Sequence, residues 1–432
     1  MLDDTRPELR VSAPDDVLAT VPYVLGFHPS DSLVLIGLTG DPPLAHTRFM
    51  LRWDLPLDAG ATDDLVPLLR REKMSRIILA GYGPGALVTP AIDTLRALAR
   101  RSGLAVLEAL RVENGRFWSY ICTDTSCCPP DGRPYDPKGS RIAAQATLSG
   151  MVALPDREAL ERSLDPYVGA PRQAIRRATD AAVADTLRRL QLCRDADALA
   201  RDFVAEGIAR VRTALGPQPD LAAGAPPPTG HPPACPPAHP PAHPPAHPRT
   251  HPPTHLRRLT DDEAVRLGIA LTVIRVRDEA WTLMSDATLR THLALWQDLT
   301  RRLEPRFVPP VASLLGLAAW RDGNSAFAGI ALRRALAIDP GYSMARLLMH
   351  ALQHFLSPAA LADRMPGPAE LDETMGTPRM SWLLPMVGIL NEEGPASGDD
   401  VPGTAEPARF SPAAPTETPY HSPELGPAGA AP

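Results

Sequence analysis

A run of proline cuts this chain in two. Pro217–His255 repeats a four-residue unit, His-Pro-Pro-Ala or a close variant. Proline donates no backbone hydrogen bond and its ring clashes with the preceding helical turn, so neither a helix nor a central strand passes through such a run. The segment reads as a disordered or polyproline insertion, and any core must come from the chain on either side of it. His231, Cys235, His239, His243, His247, His251 and His255 step along it with a period of four. In a polyproline helix of three residues per turn, each step rotates the side chain by about a third of a turn. Neighbours then face different directions, a poor geometry for one tight metal site, and a spacer is the reading.

Before the insertion, apolar runs too short for helices alternate with helical patterns. Val21–Gly40 joins a short helix, a turn carrying His28 and Asp31, and the most strand-like run, Leu33–Leu38, whose unbroken apolar character suits a strand buried on both faces. Ser12 and Asp15 form a capping-box-like pair at the head of the first helix. Further strands are expected at 44–53, Arg76–Ala80, Leu104–Val112 and Arg116–Cys122, the last two joined by a Glu113-Asn114-Gly115 turn. Helices are expected at Thr62–Lys73, Thr89–Ser102, Arg141–Ser149 and Pro155–Leu164. The fold class that follows is an α/β N-terminal domain, a mixed sheet covered by helices, over residues 11–169.

Residues 171–215 read as one long helix or two shorter ones. After the insertion, Thr260-Asp-Asp-Glu263 is a capping box that restarts helix. An all-α domain over 260–358 follows, with helices at Thr260–Met284, Asp286–Leu303, Pro310–Asp322, Ser325–Ile338 and Tyr342–Phe355. Within it, Gly316–Ala345 resembles a tetratricopeptide unit: small residues and Trp320 on one helix, a turn at Gly323, and an Asp339-Pro340 stop. One such unit needs neighbours to bury its faces. Residues 395–432, rich in Pro, Ala and Gly, read as a disordered tail.

The formal charge of -6 provides no basic field, which argues against nucleic acid and anionic membranes as partners. No window approaches the roughly 18 apolar residues of a membrane span, and the acidic start of the chain does not read as a signal peptide. Five cysteines, an odd number, argue against a disulfide framework, so the expected compartment is a reducing cytoplasm.

Two motifs stand out, Gly26–Leu33 (GFHPSDSL) and Phe117–Gly132 (FWSYICTDTSCCPPDG). On these the chain resembles an uncharacterised family, a domain of unknown function found mainly in high-GC Gram-positive bacteria. The resemblance runs from about Val11 to Gly169 and resumes around Thr260–Met284 and Trp320–Ala345. It implies no activity. Members of that family usually lack so long a histidine–proline stretch, which marks Pro217–His255 as dispensable.

His28 and Asp31 are the candidate base and orienting carboxylate, with Cys127 as a candidate nucleophile. The plainer reading is a turn in which Asp31 accepts backbone N–H groups and His28 packs beside Phe27. Cys122, Cys127 and Cys128 are the candidate metal ligands, although the usual C-x2-C spacing is absent and adjacent cysteines rarely ligate one ion comfortably. A strand cysteine followed by a Cys-Cys-Pro-Pro turn is the structural alternative. No cofactor is predicted outright; zinc is the one ion these thiols would suit.

Gly81, Gly83 and Gly85 are spaced G-x-G-x-G, and Pro84 removes an N–H, so a tight loop is expected there in place of a phosphate cradle. Trp118, Tyr120, Arg277 and Asp278 are the candidate ligand-binding side chains. Asp278 falls on the apolar stripe of Leu267, Leu271, Ile274 and Trp281, where a carboxylate needs a partner. Arg277, about 100° aside on a helix, is not expected to supply it. The function that follows is a ligand- or protein-binding scaffold, its partner an unidentified protein or small molecule. An enzyme using the His28/Asp31 turn with the Cys122–Cys128 loop is the alternative.

Overall fold

The computed structural model describes residues 11, 13–39, 46–58, 60–63, 65–216, 258–354, 356, 358 and 366–392. The proline-rich insertion, the tail from 395 and Ser12 lie outside the described residues. The first helix, α1 (Pro14–Leu25), starts from Ala13 with no side-chain cap. Its proline near the first position needs no N–H partner there.

Strands β1 (Ser32–Thr39), β2 (His46–Asp54), β3 (Arg76–Tyr82), β4 (Ala105–Glu113), β5 (Arg116–Ser119) and β6 (Arg133–Pro134) form one mixed sheet in the order β2-β1-β3-β4-β5-β6. Only β3 and β4 run parallel, joined over the sheet by α3 (Gly85–Arg101); α2 (Leu65–Arg71) precedes β3. The apolar run of β1 is explained by two cores. Leu33 and Leu35 join the smaller one with residues of α2 and α3. Val34, Ile36 and Leu38 join the larger one, which takes in α1 and the helices after the sheet. Asn114 and Gly115 both have positive φ, +49° and +72°, the signature of the two-residue turn expected between β4 and β5.

The chain then forms α4 (Arg141–Leu148), α5 (Arg157–Arg162), α6 (Ala170–Leu192), α7 (Ala196–Leu215), α8 (Asp261–Leu271), α9 (Ile274–Thr282), α10 (Leu289–Arg302), α11 (Val308–Arg321), α12 (Ser325–Ile338), α13 (Ser343–Gln353), α14 (Pro368–Met375) and α15 (Leu384–Asn391). The capping box at Thr260 and Glu263 forms as expected.

One expectation fails beside it. The helix expected over Thr260–Met284 breaks where Val273 turns extended and the Thr272 hydroxyl bonds back to the Ile269 carbonyl. The break resets the helical register, so Ile274 lies 50% exposed and off the apolar stripe. Helices α14 and α15 lie beyond the range expected to be helical. Gly316 brings α11 and α12 close: a Cβ there would stand 2.7 Å from Leu332.

Candidate functional site

The second motif builds a braced loop between β5 and β6. Trp118 stacks its ring against the Arg111 guanidinium, 3.9 Å away on the neighbouring strand, and its indole donates to the Pro130 carbonyl at 2.9 Å. Gly132, at φ +75°, lies so close to that ring that a Cβ would stand 2.5 Å from it. Arg116 donates to the carbonyls of Asp131 and Gly132. The Ser119 hydroxyl accepts from the backbone N–H groups of Ile121 and Cys122 and donates to Glu108. The Tyr120 hydroxyl meets Thr89 at 2.7 Å.

Asp124 closes the turn twice over. Its carboxylate accepts from the Ser126 N–H and hydroxyl, bonds that lower its pKa, and its carbonyl accepts from the N–H groups of Cys127 and Cys128. The result brings the sulfurs of Cys122, Cys127 and Cys128 within 4.8 Å of one another. Cys127 is exposed and the other two are half-buried. Desolvation, then hydrogen bonds with Cys122 and Cys127, push the Cys128 thiol up to about 12. Among the described residues, the Cys127 and Cys122 sulfurs otherwise meet only Arg133 and the Asp124 carbonyl respectively, each at 4.0 Å. Among the described residues no histidine, aspartate or glutamate joins the three sulfurs.

The first motif is a turn held by its backbone polar groups. Gly26, at φ +82°, ends α1, and Phe27 is buried in a bridge to Leu154. The His28 N–H donates to the Leu154 carbonyl; burial, then the charge of Lys138, lowers the imidazole pKa. Asp31 sits at φ +41° with its carbonyl accepting from Leu55 N–H, and its carboxylate lies against Gly83, where a Cβ would stand 2.8 Å away. Gly81 and Gly85 likewise have Val88 and Arg111 against them. Close packing accounts for this glycine loop.

Asp278 is 9% exposed and its partner is Arg277 after all. The guanidinium folds back along its own helix and donates to the Asp278 carboxylate at 2.6 and 2.9 Å, and also reaches the Tyr342 hydroxyl at 3.4 Å. A long arginine side chain spans the 100° between adjacent positions, which the expectation overlooked. Burial raises the Asp278 pKa and Arg277 opposes that rise. Both residues stood out in the sequence, but not as a pair, and a more buried pair was missed: Arg275 and Glu279, with Arg212 and Asp372 completing the network. Helical spacing of four was the signal for it.

A concavity of about 490 Å³ also opens between β2 and the hairpin of α11 and α12. Neither Arg277 nor Asp278 lines it.

The family model for a domain of unknown function, DUF4192, matches residues 14–359. The chain belongs to this family. The matched span takes in both motif turns, the whole sheet and the helices through α13, so this DUF4192 member carries the cysteine loop inside its family domain. No curated protein and no solved structure matches the chain. Among the described residues, no helix is long and apolar enough to cross a membrane.

Proposed function

We propose that this DUF4192 member is a metal-binding protein whose Cys122–Cys128 loop holds one thiophilic divalent ion, zinc in the first instance. One observation carries the reading. Three sulfurs converge within 4.8 Å, in a loop braced by Trp118, Ser119, Asp124 and Ser126. Thiolates bound to one zinc at about 2.3 Å stand roughly 3.8 Å apart in tetrahedral geometry, so a shift of about an ångström closes the set. Three thiolates held this near would repel one another, so the thiols give up their protons as the divalent cation binds. Three protein ligands leave a fourth position for water or an outside donor, as in zinc sites that remain open. The ion there would act as a Lewis acid toward whatever takes that position.

The rest of the sequence reading fits a binding role. Helices α11 and α12, each of 14 residues with a short turn between them, resemble a tetratricopeptide hairpin, a scaffold for a protein partner. A reducing cytoplasm would keep the three thiols free for metal.

The test is metal analysis of the full chain purified under reducing conditions, followed by cobalt substitution. One equivalent of zinc per chain is expected, with a sulfur-to-cobalt charge-transfer band after exchange. Both should be lost in Cys122→Ser and Cys127→Ser variants of unchanged secondary structure. A chain that retains no zinc after anaerobic reconstitution overturns the proposal, and so does a disulfide among the three cysteines in protein never exposed to oxidant.

A further inference from the structure

The concavity beside β2 carries charge of the opposite sign to the chain. Its described lining holds four arginines, Arg52, Arg157, Arg321 and Arg333, against two carboxylates, Asp54 and Glu72, in a protein of formal charge -6. A cationic recess walled by low-dielectric side chains focuses field on its contents.

Three of the guanidiniums come from three elements, β2, α5 and α12. Arg52 and Arg157 share the Asp54 carboxylate, at 2.6 and 3.2 Å. Arg157 and Arg333 share one oxygen of Glu161, at 3.2 and 3.7 Å. Three cations thus divide two carboxylates, and Arg333, with the longest contact, is the least compensated. Its pKa is lowered, first by burial and then by the neighbouring Arg157 charge. The Arg52 Nε is buried and has no hydrogen-bond partner. Apolar side chains stand beside them: Phe27 lies under Arg52 with its centroid 5.4 Å from the guanidinium, and Phe49, Trp320 and Leu352 also line the cleft.

We infer that this cleft binds a small organic anion, its phosphate or carboxylate head on Arg333, Arg157 and Arg52 and its flat or aliphatic body against Phe27, Phe49 and Trp320. Charge complementarity selects the head, since guanidinium forks match planar and tetrahedral oxyanions in pairs of hydrogen bonds. The volume, about 490 Å³, lies within the range of small-ligand pockets. The inference does not depend on the cysteine loop, whose residues do not line the cleft.

The probe is 8-anilinonaphthalene-1-sulfonate, an anion with a flat apolar body, titrated by fluorescence into the full chain. Saturable binding at one site is expected. Arg333→Ala and Arg157→Ala should each weaken it about tenfold or more, as loss of one charge-assisted pair does, and Arg333→Lys should recover part of the loss. Thermal midpoints within a few degrees of the parent would show that the variants fold. Adenosine monophosphate and dodecanoate then compete for the site; displacement by either supports the proposal and tells a phosphate head from a carboxylate. Absence of saturable binding, affinity unchanged from the parent in both arginine variants, or displacement by inorganic phosphate at the same concentrations as the organic anions overturns it.

Discussion

In the helical half, Arg275 is 2% exposed, Glu279 is fully buried, and each meets two groups of opposite charge. In the cysteine loop three thiols sit partly in solvent, held together by a frame that uses their backbone N–H groups and leaves their sulfurs, among the described residues, only 4.0 Å contacts outside the trio. Both regions gather polar chemistry at one place, but the first completes every charge with a partner and the second leaves its donors available. A buried charge that lacks a partner is strongly destabilising, so completion marks architecture. Convergent donors this weakly partnered mark a place where something from outside can bind.

Glu279 is where the helical half has most to lose. Removing it in Glu279→Ala leaves Arg275 buried with one carboxylate fewer and should cost about 3–5 kcal/mol, read as a large fall in the denaturation midpoint. A near-neutral result would move this network out of architecture.

A pH effect of similar kind belongs to His292. Its ring is fully buried, accepting from the Trp296 indole at 3.1 Å and facing the Leu283 carbonyl at 3.3 Å, and burial lowers its pKa from 6.5 to about 4. Between those values the unfolded chain takes up a proton that the folded chain refuses. Stability therefore falls as pH drops through that window, by about 3 kcal/mol at its foot, and is unaffected by this group above it. The difference between parent and His292→Gln unfolding curves from pH 7 to 4 isolates the contribution.

Asp278→Ala sharpens the boundary between the two kinds of site. With Tyr342 as a second partner for Arg277, the loss should be about 1.5–3 kcal/mol, that of a hydrogen bond to a charged group. A stabilised variant would instead give Asp278 the character of a binding residue.

Gly132→Ala attacks the loop. The positive φ costs an alanine about 1–2 kcal/mol, and the added methyl must displace Trp118. Thiol alkylation at the three cysteines should become uneven while the core stays folded; unchanged alkylation would mean that Trp118 does not hold the sulfurs together. The smallest effect is expected at the α8 cap, where Thr260→Ala should cost about 1 kcal/mol by denaturant titration without touching either site.

Local features were legible in the sequence where local physics decides them. The Asn114-Gly115 turn, the Thr260 capping box and the doubly buried β1 each rest on neighbouring residues alone. The three cysteines were legible as candidates, because their C-x4-C-C spacing gathers them in one short motif. Their convergence was not, since it depends on the Asp124 carbonyl receiving two N–H groups and on Gly132 admitting the Trp118 ring. The helix break at Val273 was hidden because β-branched residues are tolerated inside helices and only packing decides against them. The arginines of the cleft gave no signal at all: Arg52, Arg157 and Arg333 come from segments far apart, and each is unremarkable where it stands.

The larger core places Leu18 and Val21 of the first helix in one cluster with Leu315, Leu332 and Leu348, and Gly26 lies so near the cap of α12 that a Cβ would meet Asn324 at 2.9 Å. For a chain made from its N-terminus, this closure has a cost in time. The first helix leaves the ribosome some three hundred residues before its cover does, which at about 5–20 residues per second is a wait of roughly 15–60 seconds. Through that interval the sheet covers one side of the helix, but the side that α11 to α13 will bury stays open to other chains, so a newly made polypeptide should depend on chaperones until those helices arrive.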